Sequence, residues 1–247
     1  MVATINGSGS FDIKAALTNE IIGGRLDLRM QVSNTVEKVV PFFIRGKNPL
    51  DAIARAYIDA NVDEEFRSYA WMIAKHESKS GDRVYNQFNP SGSRKELPNW
   101  GSPDGWGMCQ IDRSANAFPN NVVNTSEVYN WKTNVLAMCN VLRGKRNRYE
   151  EVIRWFRTEY QNDHSTQWFE PDNVTTNIGG AIITARQWSI MTFYNGAGGC
   201  PYLPFQGHDD EPSPIHFDPV TTNWVLYTNV HDYVPTVLSD SIFQDLE

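Results

Sequence analysis

The feature that most constrains the fold is a set of apolar residues that recur at the spacing of a helix. The clearest stripe consists of Val128, Trp131, Val135, Met138 and Leu142, and this spacing lines one face of an α-helix. Three more stripes predict three more helices: Phe66, Tyr69, Ala70 and Ile73; Tyr149, Ile153, Phe156 and Tyr160; and Ala181, Ala185, Trp188 and Thr192. We therefore predict a mainly α (α+β) protein whose core is formed by these stripes.

The stripe that starts at Phe66 leads to a carboxylate. It belongs to a helix predicted over residues 63–77, and Glu77 stands four residues after Ile73, at the rim of the apolar face. An ordinary solvated glutamate is disfavoured there, because a negative charge opposes the dipole at a helix C-terminus. His76 is not expected to face Glu77, since neighbours on a helix point in different directions.

Turn signals suggest where the helices begin and end. Asn48 before Pro49 predicts the cap and the first residue of a helix over residues 49–60. Gly144 is expected to end the helix that contains Val135. We interpret the basic run around that glycine as a helix C-terminus whose cations suit the helix dipole. The run consists of Arg143, Lys145, Arg146 and Arg148.

Residues 81–107 are predicted to form a long irregular loop. They contain the turn-forming pairs Asn89-Pro90, Leu97-Pro98 and Ser102-Pro103. A loop of this length is uncommon in a compact domain unless it builds a binding or active site. Residues 108–111 are expected to form a short strand or a tight turn. The loop is therefore a candidate wall of a groove.

The first 44 residues read as short strands. Leu26, Leu28, Met30 and Val32 alternate with polar residues, and residues 39–44 predict a second strand. So small a β element is marginal alone, so we expect it to be the end of a larger module that extends further N-terminally. We accordingly divide the chain into a β segment over residues 1–45 and a main domain over residues 46–247.

Charge and hydropathy exclude several classes of partner. The formal net charge is −7 at pH 7, which disfavours nucleic acids and anionic membrane surfaces, because no basic excess offsets their phosphate charge. No stretch approaches the roughly 20 apolar residues of a membrane helix, and no basic-then-apolar signal pattern opens the sequence.

Cysteines and histidines give no metal signal. The three cysteines are too few for a disulfide scaffold and lack metal-ligand spacing, which leaves one bridge plus one free thiol as an open alternative. A second group could hold a cation but has no recognised spacing, so we interpret it as a solvated acidic loop. It consists of His208, Asp209, Asp210, Glu211, His216 and Asp218. We predict no metal and no cofactor.

Three short motifs occur in order along the chain. They are Glu77-Ser78, the segment GWGMCQID at residues 105–112, and FYNGAG at residues 193–198. This order resembles the soluble lytic transglycosylase and goose-type lysozyme superfamily, whose members carry Glu-Ser at a helix end, then Gly-x-Gly-(Leu/Met)-x-Gln, then Tyr-Asn-x-Gly. The resemblance covers about residues 66–199 and implies a lysozyme-like helical domain that cleaves peptidoglycan glycan strands without a cofactor.

A narrower resemblance concerns residues 42–49, which read FFIRGKNP behind a short β segment. This arrangement is similar to the lysozyme-type C-terminal domain of bacterial type VI secretion effectors. It implies an antibacterial toxin that is secreted and acts in the periplasm or cell wall of a target bacterium. The implied partners are peptidoglycan strands and a cognate immunity protein.

Glu77 has the chemistry that such a reaction needs. Cleaving a β-1,4 glycosidic bond requires a proton donor, and a carboxyl serves near neutral pH only if desolvation raises its pKa. In hen-type lysozyme the acid lies against a Trp in an apolar pocket. Trp71, Trp100 and Trp106 are candidate neighbours of the same kind here. We therefore predict that Glu77 is the catalytic acid.

The second catalytic group is left open between two aspartates. Inverting hydrolysis needs another carboxylate about 6.5–9.5 Å away, with room for a water. By the resemblance, Asp112 or Asp104 would take that role, although Asp104 falls about one residue off the family's loop length. Lytic transglycosylases need no second carboxylate, because the muramoyl 6-hydroxyl attacks and leaves a 1,6-anhydro end. Either aspartate could instead cap a turn.

The remaining site residues are predicted to bind or position the glycan. By the resemblance, Gln110 holds substrate or acid through its amide, and Tyr194 and Asn195 match the motif whose phenol lies close to the catalytic carboxyl. Ser78 is included among the substrate-binding residues, with a hydroxyl expected to hydrogen-bond near the acid. Trp100 and Trp106 offer flat faces for sugar rings, although buried Trp and Tyr are also common in cores. Serine-hydrolase chemistry at Ser78 is not expected, because no paired base is in view.

These observations favour an N-acetylmuramidase that hydrolyses the MurNAc-GlcNAc bond. A lytic transglycosylase on the same scaffold is the nearest alternative. A glycan-binding or structural module without turnover is the alternative from another class.

Overall fold

The computed structural model describes residues 23–32, 36–44, 46–78, 85–101, 104–112, 125–163, 175–178, 181–194, 215–218, 223–226 and 233–242. The helices are α1 (Asp51–Asn61), α2 (Glu64–Ser78), α3 (Thr125–Tyr129), α4 (Trp131–Asp163), α5 (Ala185–Tyr194) and α6 (Tyr233–Ile242). The strands are β1 (Gly24–Val32), β2 (Val36–Ile44), β3 (Trp100–Gly101), β4 (Gly105–Trp106), β5 (Ile111–Asp112), β6 (Thr175–Ile178), β7 (Ala181–Thr184), β8 (Ile215–Asp218) and β9 (Asn223–Leu226). The described part of the chain is mostly helical, with a small three-stranded sheet.

Helix α2 lies at the centre of the helical body, where it packs against α1, α4 and α6. Its predicted stripe is confirmed, because Phe66, Tyr69, Ala70 and Ile73 are all buried. Full burial of a side chain such as Phe66 contributes about 1.5–3 kcal/mol. This packing fixes the direction of α2 and therefore the position of Glu77 near its C-terminal end.

The helix after the long loop differs from its prediction at both ends. A short helix, α3, carries Val128, and Asn130 then starts α4 by accepting a hydrogen bond from the Lys132 N–H at 3.0 Å. At the other end, α4 continues through Gly144 to Asp163. The prediction that Gly144 ends the helix is therefore wrong.

The reason is that the apolar stripe continues on both sides of the glycine. Leu142 and Tyr149 are both buried, so packing holds the two halves in one helix. A single exposed Gly inside a helix costs only about 1 kcal/mol. The packed face is enough to offset that cost.

Gly144 is consequently a site where stability can be raised. A Cβ built on Gly144 meets nothing within 4 Å, and its backbone is helical. We expect Gly144→Ala to raise the free energy of unfolding by about 0.5–1 kcal/mol, because Ala loses less backbone entropy on folding. Urea unfolding measures this difference. Destabilisation by the same substitution would argue that the helix does end at residue 144.

The basic run lies in the middle of α4 and not at a C-terminus, contrary to its interpretation. The guanidinium of Arg143 donates two hydrogen bonds to Asp63, each 2.6 Å long. Arg146 pairs with Glu65. Arg143 and Arg146 therefore tie α4 to the start of α2, although such exposed pairs contribute little each.

Helix α5 begins four residues later than its stripe predicted, because residues 181–184 form β7 against β6. Thr184 and Gln187 explain the boundary. The Gln187 N–H donates to Thr184 Oγ1 at 3.2 Å, and the Thr184 N–H donates to Gln187 Oε1 at 3.0 Å. This reciprocal pair is a capping box, so Ala181 lies outside the helix.

Helix α1 starts at Asp51, and Asn48 does not cap it. The Asn48 amide instead bonds to the loop before the small sheet. Its Nδ2 donates to Asn86 Oδ1 at 2.8 Å and to the Phe88 carbonyl at 2.9 Å, and its Oδ1 accepts from the Phe88 N–H at 2.7 Å. The residue predicted as a helix cap therefore forms tertiary hydrogen bonds to residues about 40 positions away.

Both predicted N-terminal strands are present, as an antiparallel pair of nine residues each, β1 and β2. The residues predicted as one irregular loop include β3 and β4, which pair antiparallel with each other and, through β4, with β5. Cys109 and Cys139 are buried free thiols, so the alternative of a bridge is not realised between them. In the described residues, no helix is long and apolar enough to cross a membrane.

Candidate active site

Glu77 lies one residue from the end of α2, with a side chain that is only partly exposed. Burial raises the pKa of this carboxyl above its ordinary value. Two weaker influences lower the pKa: a hydrogen bond from Tyr233 and the charge of His76. Burial outweighs both, so the proton is held more tightly than in a solvated glutamate.

Among the described side chains, Tyr233 forms the hydrogen bond that holds Glu77. Its hydroxyl donates to Glu77 Oε1 at 2.6 Å. The ring of His76 packs against the ring of Tyr233 edge to face, with centroids 5.4 Å apart. Tyr233 opens α6, which packs on α2, so the fold brings together groups 156 positions apart. His76 thus contacts the tyrosine that bonds to the acid, and its charge lowers the pKa of Glu77.

Tyr194 ends α5 and lies within electrostatic range of Glu77. Burial raises the pKa of its phenol well above the ordinary value, and the charges of Cys109 and Glu77 raise it further. The hydroxyl donates a short hydrogen bond to the carbonyl of Cys109. The pKa of the buried Cys109 thiol is also raised, chiefly by burial and then by the charge of Glu77. Glu77, Tyr233, Tyr194 and Cys109 are thus one cluster.

A tight turn over residues 107–110 carries Cys109 and Gln110. Gln110 has a φ of +46°, and its Nε2 donates to the Gly107 carbonyl at 2.8 Å. Its Oε1 lies 2.3 Å from where a Cβ on Gly101 would fall and 2.8 Å from one on Gly105. The amide therefore lies over one face of the small sheet, and a Cβ at Gly101 or Gly105 would force the Gln110 side chain to shift.

Two buried amides hold this turn in place. Gln87 Oε1 accepts from the Met108 N–H at 3.0 Å, and Asn134 Oδ1 accepts from the Cys109 N–H at 2.9 Å. Asn134 Nδ2 donates to the Trp106 carbonyl at 3.0 Å, and Gln87 Nε2 donates to the Val128 carbonyl at 2.6 Å. These bonds satisfy backbone groups that burial would otherwise leave unpaired.

Ser78 has a structural environment. It is 1% exposed, and its hydroxyl donates to the Ala74 carbonyl at 2.6 Å. Its own carbonyl accepts from Asn86 Nδ2 at 2.8 Å. The structure therefore does not present this hydroxyl to a substrate, and the predicted contact between Ser78 and a glycan is not supported.

Trp100 and Trp106 are direct partners across β3 and β4. Neighbours along a strand point to opposite faces, and the adjacent glycines point toward Gln110. Both indoles therefore lie on the face opposite the one that Gln110 covers. Trp106 is half-buried and Trp100 is 39% exposed. The structure therefore separates these two predicted sugar-stacking residues from Gln110. Trp71, which was predicted as a candidate neighbour of Glu77, is buried in the core.

The two candidate aspartates lie at one end of the sheet. Asp112 pairs with Gly105, the residue that follows Asp104, so both aspartates lie near the same end of the sheet. Asp104 Oδ1 accepts a hydrogen bond from Trp106 Nε1 at 3.1 Å. Burial lowers the pKa of Lys145, and the charge of Asp112 acts against that shift.

Several residues of this site escaped the sequence prediction. Tyr233 could have been found from the buried stripe that it forms with Val234, Val237 and Leu238 on α6. Asn134 could have been found as a polar residue inside an apolar stripe.

Asn195, which was predicted to position the glycan, lies outside the described residues. In the part that the structure describes, no three His, Cys, Asp or Glu residues group as metal ligands do.

The Tyr233 hydrogen bond has a measurable electrostatic consequence. It lowers the pKa of Glu77, so its removal in Tyr233→Phe is expected to raise that pKa further. The ¹³C resonance of the Glu77 carboxyl, followed by NMR against pH, reports the shift. Tyr85→Phe is the matched control, because Tyr85 is also buried but its hydroxyl faces the Trp71 carbonyl. An equal shift in both variants, or none in Tyr233→Phe, would refute this role.

No protein-family model, curated protein or solved structure matches the chain.

Proposed function

We propose that this protein is an N-acetylmuramidase, a lysozyme-like glycoside hydrolase that cleaves the β-1,4 bond between MurNAc and GlcNAc in peptidoglycan. The observation that carries the proposal is the carboxyl of Glu77. Burial raises its pKa, and Tyr233 fixes one of its oxygens. A carboxyl in this state is suited to act as a general acid.

The proposed chemistry begins with the protonated Glu77 carboxyl donating its proton to the glycosidic oxygen. The carboxylate that forms would then be stabilised by the Tyr233 hydroxyl and by His76, because both favour the charged form. A water activated by Asp112 or Asp104 would attack the anomeric carbon. Gln110, Tyr194 and Asn195 would position the glycan.

A lytic transglycosylase is a second candidate, and one observation favours it. Asp104 accepts a hydrogen bond from Trp106 Nε1 and Asp112 interacts with Lys145, whereas inverting hydrolysis needs a second carboxylate about 6.5–9.5 Å from the acid. In this candidate the muramoyl 6-hydroxyl replaces water as the nucleophile, and Glu77 would serve first as acid and then as base.

Mass spectrometry of digested sacculi separates the two reactions. We expect fragments that end in reducing MurNAc, because water is the proposed nucleophile. Fragments that end in 1,6-anhydroMurNAc would contradict hydrolysis and establish the transglycosylase. Asp112→Asn and Asp104→Asn assign the base: we expect one of them to slow hydrolysis by about 10²-fold or more.

The biological role is a proposal that rests on the narrower resemblance. We propose an antibacterial type VI secretion effector that is secreted and acts on the wall of a target bacterium, with peptidoglycan strands and a cognate immunity protein as its partners. The test is expression directed to the periplasm of a bacterium. Lysis by the wild type and not by Glu77→Gln would agree with the proposal.

A further inference from the structure

Arg94 and Trp100 form a charged and aromatic pair at the outer edge of the small sheet. Trp100 lies on β3, which has one neighbouring strand, and 39% of its surface is exposed. The Cζ atom of the exposed Arg94 lies 5.3 Å from the centre of the Trp100 ring. An exposed guanidinium at this distance from a ring has N–H donors that can still bind a planar anion.

The backbone around Arg94 is held by a set of turn hydrogen bonds. The Lys95 N–H donates to the Gly92 carbonyl at 3.1 Å, and the Leu97 N–H donates to the Arg94 carbonyl at 2.9 Å. The side chain of Asn89 closes the turn by donating to the carbonyls of Leu97 and Pro98. Arg94 is therefore presented from a fixed turn, which lowers the entropy lost when a ligand binds.

The Arg94 guanidinium contacts an aromatic ring, whereas four arginines of α4 and α5 pair with a carboxylate: Arg143, Arg146, Arg148 and Arg186. Arg55 on α1 also lies over a ring, 4.0 Å from the centre of Trp71, but that indole is buried. Lys95 beside Arg94 is also exposed. Glu96 follows and is exposed too, so the two cations and one carboxylate of residues 94–96 leave a local charge of +1 in a chain of net charge −7.

We propose that Arg94 and Trp100 form a subsite for the muramoyl residue of a glycan strand. The exposed part of the indole would stack on the pyranose ring, and the guanidinium would bind a carboxylate through two parallel N–H donors. The inference rests on the proposed function and deepens it. GlcNAc carries no carboxylate, whereas a muramoyl unit carries one on its lactyl arm or on the peptide stem attached there. The pair would therefore distinguish wall glycan from neutral chitin.

Binding of three soluble ligands to Glu77→Gln protein, measured by calorimetry, tests the subsite without turnover. The ligands are peptide-bearing glycan strands, strands stripped of peptide by an amidase, and chitin oligosaccharides. Adding Arg94→Gln should weaken binding of carboxylate-bearing strands by about five- to tenfold, and by less at high salt, while chitin binding stays within about twofold. Adding Trp100→Ala should weaken binding of all three. Arg148→Gln, an exposed arginine on α4, is the matched control.

The pattern across the ligands decides the outcome. Loss on stripped strands identifies the lactyl carboxylate, and loss confined to peptide-bearing strands identifies the stem. An Arg94→Gln effect that is absent, equal on chitin, or matched by Arg148→Gln overturns the subsite, as does unchanged binding by Trp100→Ala. Clearing of sacculi by the wild type is a separate measurement, so a failure of the hydrolase proposal is distinguishable from a failure of the subsite.

Discussion

Replacing Glu77 with Gln is expected to slow the clearing of purified sacculi by about 10²- to 10⁴-fold, the range that a general acid contributes. Gln matches Glu in shape and still accepts a hydrogen bond from Tyr233, but it has no acidic proton to donate. The rate of turbidity loss measures the effect. Binding to sacculi is expected to persist, since the shape of the side chain is kept.

The same substitution has a predicted effect on stability, and its sign follows from the pKa. Because burial raises the folded-state pKa of Glu77, its contribution to stability is complete at low pH and is lost as pH rises through the raised value. Gln has no such loss. Near neutral pH, Glu77→Gln should therefore unfold at the same or a higher temperature than wild type.

The result that would contradict this account is clearing at the wild-type rate by a folded Glu77→Gln protein. A variant that loses clearing only because it unfolds would be recognised by its lower melting temperature. If wild type and variant bind sacculi equally and neither clears them, the module is a glycan binder without turnover.

Gly107→Ala is expected to lower the free energy of unfolding by about 3–5 kcal/mol. Gly107 has a φ of +76°, which costs an L-residue about 1–2 kcal/mol. A Cβ there would also lie 2.5 Å from Asn134 Nδ2 and 2.6 Å from Gln87 Nε2. Both amides would have to shift, and the buried N–H groups that they satisfy would lose about 1–3 kcal/mol each.

Gly92→Ala is the matched control for this prediction. Gly92 has the same φ of +76°, but a Cβ there meets nothing within 4 Å. We expect it to cost only the backbone strain, about 1–2 kcal/mol. Urea unfolding of both variants separates strain from crowding. Equal losses would show that Gln87 and Asn134 do not crowd the turn at Gly107.

The sequence was informative wherever periodicity carried the information. The apolar stripe of α2 predicted both the helix and the place of Glu77 at its rim, because burial of that face fixes the helix phase. The sequence was misleading at single residues that commonly mark the ends of helices. Gly144 and Asn48 both carry local signals for helix ends, and tertiary packing or a tertiary hydrogen bond overrode each of them.

The site was less predictable, because its members come from distant parts of the chain. The Tyr233 hydroxyl reaches Glu77 only because α6 packs on α2, and no local pattern encodes that contact. The faces of the small sheet were also hidden in the sequence. Trp100 and Gln110 were both predicted to contact the glycan, and strand alternation places them on opposite faces of the sheet.

The central claim is that Glu77 keeps its proton more tightly than a solvated glutamate does. Its most direct test is the ¹³C NMR titration of that carboxyl in the wild type, with the resonance assigned by its absence in Glu77→Gln. The account predicts a midpoint above the ordinary value of 4.5. A midpoint at or below that value would contradict the claim, because such a carboxyl would be ionised at neutral pH and unable to act as the acid.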